Sequence, residues 1–342
     1  MSVAVNLRTV FASTVKRLCS TAAQNARIID EDGPDLPQRL LDCFLKLERL
    51  NDYEFRSVHL LRGRRSFSHI YGGQLVAHSL KSATETVDRA LSPHSMHCYF
   101  VNAGSVLEPV HYNVDCIRDG KSFATRLVKV VQNGKILFTS QLSFQREQPS
   151  GMGHETKIEM PPGPDGLLTA RELMRNCLEN SKSDHMTPTE VFSAYKLAEF
   201  PPTFHRIYEA RPVDQKIYQP DLDGPLHLPQ YHMWIKPVLD VGTDPLMNQY
   251  MAAYISDSTM VETAILPHLA RGFPMSMAFS LDHCIWFHQT KFNINEWMLW
   301  EQTSDFAGNS RTHTRARLWT QTGNLVMTAV QEGLARPVRE NA

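Results

Sequence analysis

A chain that runs twice through one order of elements has few folds open to it, and this 342-residue sequence does so. In its first half, Leu40, Phe44, Leu47 and Leu50 recur at helical spacing. A second helix is predicted over "YGGQLVAHSLKSATETV" (71–87), where Leu75, Val76, Leu80 and Ala83 form one apolar stripe behind the paired Gly72 and Gly73. Four strand-like stretches follow: "HSMHCYFV", "VHYNVDCIRDG", "FATRLVKVVQ" and "KILFTSQLSFQ". Asn133-Gly134 joins the last two, and that pair accepts the positive φ angles of a tight hairpin. The second half offers helix-like "DSTMVETAIL", then "FSLDHCIWFH", "EWMLWEQTS", "THTRARLWTQ" and "NLVMTAVQEG". An offset of 189 residues brings Arg126, Gln132, Gly134 and Thr139 onto Arg315, Gln321, Gly323 and Thr328, and an offset of 186 brings His97-Cys98 onto His283-Cys284. Single identities carry little weight, but shared element order with the turns in register carries more. The pattern predicts an α+β duplication, two copies of a long helix followed by an antiparallel sheet.

Between the copies, 147–166 is rich in Pro, Gly and Met without periodicity and reads as a linker, followed by a short helix at 169–179. Strand-like "HRIYEAR" and "YHMWIKPVL" open the second copy. The expected division is an N-terminal segment (1–35), a first copy (36–148), a linker with a short helix (149–199) and a second copy (200–338).

A formal net charge of -1 gives no global attraction to nucleic acid or an anionic membrane, and no apolar run is long enough to span a bilayer. Cys19, Cys43, Cys98, Cys116, Cys177 and Cys284 are scattered, which argues for a reducing compartment and against a disulfide framework or zinc knuckle. Residues 1–29 contain no acid, while Arg8, Lys16, Arg17 and Arg27 stand among Ser, Thr, Ala and Val. Leu7, Phe11, Val15 and Leu18 would share a helical face, so the segment has the composition of a mitochondrial presequence. The final Arg-Glu-Asn-Ala is not a Ser-Lys-Leu type peroxisomal address.

"FSLDHCIWFH" (279–288) concentrates candidate chemistry. Read as one strand, it places Ser280, Asp282, Cys284, Trp286 and His288 on one face and Phe279, Leu281, His283, Ile285 and Phe287 on the other. His283 and His288 then diverge, so no metal site is predicted. No G-x-S-x-G, G-x-G-x-x-G or H-E-x-x-H occurs, and "DGKS" (119–122) has Asp115 where a phosphate loop needs its first glycine. What remains are polar residues in apolar surroundings. Gln331 shares a face with Leu325, Met327 and Ala329, and its repeat partner is Leu142. Asp257 sits where apolar "AAYIS", taken as a strand end, passes into a helix, at the place Gly72 and Gly73 hold in the first copy. Ser280 lies between Phe279 and Leu281. Asp257 as a helix cap and Gln331 as a partner for a backbone group are the structural alternatives.

"YGGQLVAHSL", "AYISD", "SLDHCIWFH" and "VQEG", in that order, closely resemble the type II acyl-CoA thioesterases, a family that includes bacterial thioesterase B and peroxisomal enzymes of eukaryotes. The similarity spans 36–336. It implies a double hotdog fold and hydrolysis of fatty acyl-CoA to free acid and CoA. It also implies a catalytic trio of Asp257, Ser280 and Gln331, self-association, and no cofactor, CoA being part of the substrate. A thioester carbonyl is electrophilic enough for direct attack by water. Asp257 would then be the general base, with Ser280 and Gln331 holding the water. Backbone N–H groups at the start of the Asp257 helix would meet the oxyanion. The CoA phosphates call for Lys or Arg, but 35 basic residues offer no choice among them. A hotdog hydratase or dehydratase would need an acid–base pair such as Asp282-His283, whose members face opposite ways on a strand. A purely acyl-CoA-binding protein would have no use for the intact trio.

Overall fold

The computed structural model describes residues 45–149, 151–180, 186–200, 202–218, 228–269, 273 and 275–337. The presequence-like segment and residues 40–44 of the first predicted helix lie outside them. Leu47–Arg49 (β1) is a strand rather than helix, paired with Glu54–Ser57 (β2) through a turn in which Asn51 Oδ1 accepts the Tyr53 N–H at 2.9 Å. Asn-Asp turn chemistry overrides the helical spacing there.

The first copy continues as Gly72–Thr84 (α1), Leu91–Phe100 (β3), His111–Asp119 (β4), Phe123–Gln132 (β5) and Lys135–Arg146 (β6). Asn133 and Gly134 take φ of 51° and 75°, the expected tight hairpin. The linker folds into Ala170–Glu179 (α2) and a second, unpredicted helix, Pro188–Glu199 (α3). Both begin with capping boxes, Thr169 with Glu172 and Thr187 with Glu190. Pro202–Ile207 (α4) occupies the start of "HRIYEAR", leaving Tyr208–Pro212 (β7) as the strand, followed by Met233–Pro237 (β8).

Pro245–Ser256 (α5) and Met260–Leu269 (α6) flank Asp257. The apolar run read as a strand end is therefore helical. Asn248 through Ser256 are all buried, so the helix shows no stripe, and periodicity cannot distinguish a short buried helix from a buried strand. Asp244 Oδ1 caps it by accepting the Leu246 N–H at 3.0 Å, with Pro245 at the first helical position.

Met275–Ser280 (β9), Asp282–Phe287 (β10), Met298–Gly308 (β11), Arg311–Thr320 (β12) and Leu325–Pro337 (β13) complete the sheet. Strand order is β1-β2-β4-β5-β6-β3-β10-β13-β12-β11-β8-β7, with β9 also on β13. Outward from the β3–β10 seam, β3, β6, β5, β4, β2 and β1 mirror β10, β13, β12, β11, β8 and β7. The duplication thus becomes two half-sheets joined edge to edge in one antiparallel sheet, with no edge strand left exposed at the join. Helix α1 packs on β3 to β6, α6 packs on β9 and β11 to β13, and α1 also packs against α5.

The 279–288 stretch is two strands. Ser280 opposes Gly333 on β13, whereas Cys284 opposes Val330, so four steps along one chain match three along the other. That bulge reverses the alternation at Leu281. Its spare backbone groups are satisfied: the Leu281 N–H donates to Glu332 O at 2.8 Å, and Asp282 Oδ1 accepts the Glu332 N–H at 2.9 Å. Ser280 and His283, predicted on opposite faces, end on the same one.

Candidate active site

Asp257 occupies the short link between α5 and α6. Ser280 Oγ donates to its Oδ1 at 2.9 Å and Gln331 Nε2 donates to the same oxygen at 2.6 Å. The three residues singled out in the sequence, 74 positions apart at the extremes, thus meet at one atom. A third donor comes from the other copy, since the Gly73 N–H in the first turn of α1 also bonds the Asp257 carboxylate. The paired glycines let α1 come this close. A Cβ on Gly72 would stand 2.4 Å from Asp257 Oδ2, and one on Gly73 would stand 2.2 Å from Tyr254 O. The helix N-terminus facing Asp257 is therefore that of α1, where the sequence had suggested the start of Asp257's own helix.

Burial pushes the Asp257 carboxyl up to about 6, against the opposing pull of Ser280, Gln331 and Gly73. Below it, His283 is fully buried, and burial draws its imidazole down to about 3, so it is neutral at physiological pH. Ser256 Oγ donates to Ala253 O at 2.9 Å, so its oxygen accepts from His283 Nε2–H at 2.8 Å. That assignment leaves His283 Nδ1 as acceptor for Gln331 Nε2 at 3.3 Å. The Gln331 amide is thereby fixed, with its nitrogen on Asp257 and His283. Its Oε1 is buried and has no partner among the described residues. In the first copy the corresponding side-by-side pair is the buried Met96 and Leu142. The earlier match of His97 to His283 does not hold in space: His97 is exposed, edge-on to Trp286 at 5.0 Å.

Asp257 and Ser280 open into a mostly apolar cavity of about 450 Å³. Its walls come from both copies and from α3, which contributes Phe192, Tyr195 and Lys196. Lys196 is paired with Glu262 within the wall and lies 3.7 Å from the centre of the Phe200 ring. The partly exposed Phe67, Val101 and Phe279 mark the mouth. The Asp282 carboxylate, committed to the bulge at Glu332, cannot act with His283, whose ring points to Ser256 and Gln331. No cluster of His, Cys, Asp or Glu among the described residues could hold a metal ion.

The family model for acyl-CoA thioesterase matches residues 204–334, and that for the acyl-CoA thioesterase N-terminal domain matches 61–145. The human acyl-coenzyme A thioesterase 8 is 36% identical over 306 residues, covering 88% of this chain and 90% of the human one. A crystal structure of an acyl-CoA thioesterase II from Mycobacterium marinum superposes with a TM-score of 0.67 at 29% identity, covering 88% of this chain and 99% of that one. A hot dog fold protein from Alicyclobacillus acidocaldarius, 16% identical, superposes at 0.64 over 87% and 98% of the two chains, which bears on fold alone. This chain belongs to the acyl-CoA thioesterase family. It has the double hotdog fold and hydrolyses acyl-CoA thioesters. No helix among the described residues is long and apolar enough to cross a membrane.

Proposed function

We propose that hydrolysis runs by direct attack of a water held by Asp257, Ser280 and Gln331, without a cofactor or a covalent enzyme intermediate. The convergence of Ser280 and Gln331 on Asp257 Oδ1, beside the unpartnered Gln331 Oε1, carries this reading. The water gives one proton to the Asp257 carboxylate while its other O–H donates to Gln331 Oε1, and its oxygen bonds to the thioester carbon. Ser280 Oγ, donating to Asp257 Oδ1, holds the carboxylate in place to take the water's proton. The developing oxyanion is met in this scheme by the Gly72 N–H, a first-turn donor of α1 whose residue lines the cavity. Collapse expels CoA as thiolate, which takes the proton back from Asp257. The transfer is downhill, because a thiol holds its proton to about pH 8.5 and Asp257 only to about 6.

CoA release from a panel of short to long acyl-CoAs tests the reading. Gln331→Ala is expected to lower kcat at least about tenfold with KM little changed, as for a group that orients a reactant. Undiminished kcat in that variant would move the site elsewhere. His283 acts only through Gln331 in this scheme. His283→Leu is therefore expected to lower kcat in the wild-type background but to add nothing to Gln331→Ala, and additive losses would assign His283 a separate role.

The basic, acid-free composition of residues 1–29 supports a mitochondrial address, with peroxisome or cytosol as alternatives. Import of a fusion carrying that segment would decide. Tyr99, Ile117, Phe123 and Phe306 stand exposed on strands, apolar surface that supports self-association. A monomer in sedimentation would refute it.

A further inference from the structure

Four arginines gather beside the cavity wall, and among the described residues none of them forms an ion pair with a carboxylate. Arg65 follows Arg64, a cavity-lining residue that lies over the Tyr195 and Phe279 rings at 5.8 and 5.6 Å. The Arg65 N–H donates to Glu199 O at 2.6 Å, which ties this loop to the end of α3. Arg171 and Arg175 lie one turn apart on α2, which packs against α3. Arg206 sits on α4, two residues beyond cavity-lining Phe204.

The grouping is electrostatically uncomfortable. Burial first, then the charges of Arg175, Arg206 and Arg65, hold the Arg171 guanidinium below its ordinary value. Burial, with Arg171, Lys196 and Arg175, pulls neighbouring His205 down to about 4. Nearby carboxylates are committed elsewhere. Glu172 bonds Thr169 in its own capping box and feels Arg175 only through space, Glu199 accepts from Ser66, and Glu262 pairs with Lys196. Among the described residues none of the four arginines forms an ion pair. Arg171 Nε is buried with no acceptor among the described residues. Like charges drawn together around an unsatisfied donor are stabilised by an anion, and planar guanidinium forks match phosphate oxygens.

The substrate's CoA carries phosphates at the end of its pantetheine arm remote from the thioester. Arg65 is exposed two residues from Phe67, an exposed residue of the cavity lining, so the cluster begins beside the cavity's open side. We propose that Arg65, Arg171, Arg175 and Arg206 form a phosphate-binding site that holds the nucleotide end of acyl-CoA while the acyl chain fills the cavity. The assignment rests on the acyl-CoA substrate of the family but not on the identity of the catalytic trio.

Arg175 and Arg206 are exposed, so Arg175→Gln and Arg206→Gln together are tolerated by the fold, and Arg171→Gln extends the series. Each acyl-CoA is compared with the matching acyl-pantetheine, which lacks phosphates. The combined variant is expected to raise KM for acyl-CoA at least about tenfold, in line with loss of charge-assisted hydrogen bonds, and to weaken its salt dependence. kcat and the pantetheine ester should be unaffected. An equal change for both esters, or none for either, overturns the site. In parallel, calorimetry measures binding of free CoA and of adenosine 3′,5′-bisphosphate to Asp257→Asn protein with and without the arginines. Loss of both ligands is expected. Loss of the bisphosphate alone, with KM for acyl-CoA unmoved, would assign the site to a free nucleotide and overturn the substrate role. Wild-type protein that binds CoA through these arginines yet releases none from any thioester would count against the hydrolytic mechanism and leave this site standing.

Discussion

Asp257→Asn is expected to give a folded protein that releases CoA at least about a hundredfold more slowly, within the range for loss of a general base, with KM changed little. The amide keeps the shape and an oxygen to accept from Ser280 and Gln331 but cannot take a proton. The wild type should show the matching pH dependence. With the carboxyl at about 6, kcat/KM rises as pH climbs through that value and is flat above it. The same burial acts on stability with the opposite sign from an ordinary salt-bridged acid. The folded value lies above the unfolded one, so below about pH 4 the group is neutral in both states and the penalty is absent. The penalty grows as pH rises toward 6 and is complete above it. The asparagine variant should therefore be more stable than wild type by on the order of 1–3 kcal/mol at pH 7 and by little at pH 4. Denaturant titrations at the two pH values measure this. A stability difference independent of pH, or an unimpaired kcat, would remove Asp257 from the role of base.

Asp257 and Gln331 were legible because polar residues in apolar settings stand out in a sequence, Gln331 against Leu142 in the other copy and Asp257 against the glycine pair, whereas Ser280 joined them through the resemblance to the thioesterases. The duplicated order of helix and antiparallel strands was legible too, as periodicity and turn chemistry are local, but not the edge-to-edge joining of the two halves. What escaped was relational. His283 was set aside because strict alternation turned it away from His288 and Asp282 and onto the face opposite Ser280, and the bulge that brings it to the Ser280 face exists only in the pairing of β9 and β10 with β13. The helix before Asp257 was missed because it is buried all round from Asn248 to Ser256. Helix α3 was announced by Thr187-Pro188-Thr189-Glu190, a capping box with proline at the first helical position, but lay among prolines that read as irregular. The arginines of the phosphate site span 65 to 206 on a loop and two helices, and no spacing in the sequence joins them. Nor did the duplication reveal that α1 of the first copy completes the site of the second.

That last point has a sharp consequence at two adjacent glycines. Helix propensity alone predicts that alanine at either position stabilises, by about 0.5–1 kcal/mol. The packing predicts otherwise, and differently for each. At Gly73 the new Cβ meets Tyr254 O at 2.2 Å, a backbone oxygen at the end of α5 that also accepts the Tyr71 hydroxyl. Neither helix can yield without parting from the other, so Gly73→Ala is expected to destabilise by at least about 2 kcal/mol, at the upper end of ordinary overpacking. At Gly72 the Cβ meets Asp257 Oδ2 at 2.4 Å and Phe100 Cε1 at 2.8 Å, both on side chains that can turn. Gly72→Ala should therefore fold with a modest loss, but with the base displaced from Ser280 and Gln331 and kcat reduced at least about tenfold. Thermal melts and kcat measured on both variants separate the two effects. Two variants that lose stability and activity in the same proportion would mean that the close approach of α1 serves packing alone, and that the Gly73 N–H has no part in holding Asp257 at the reacting carbon.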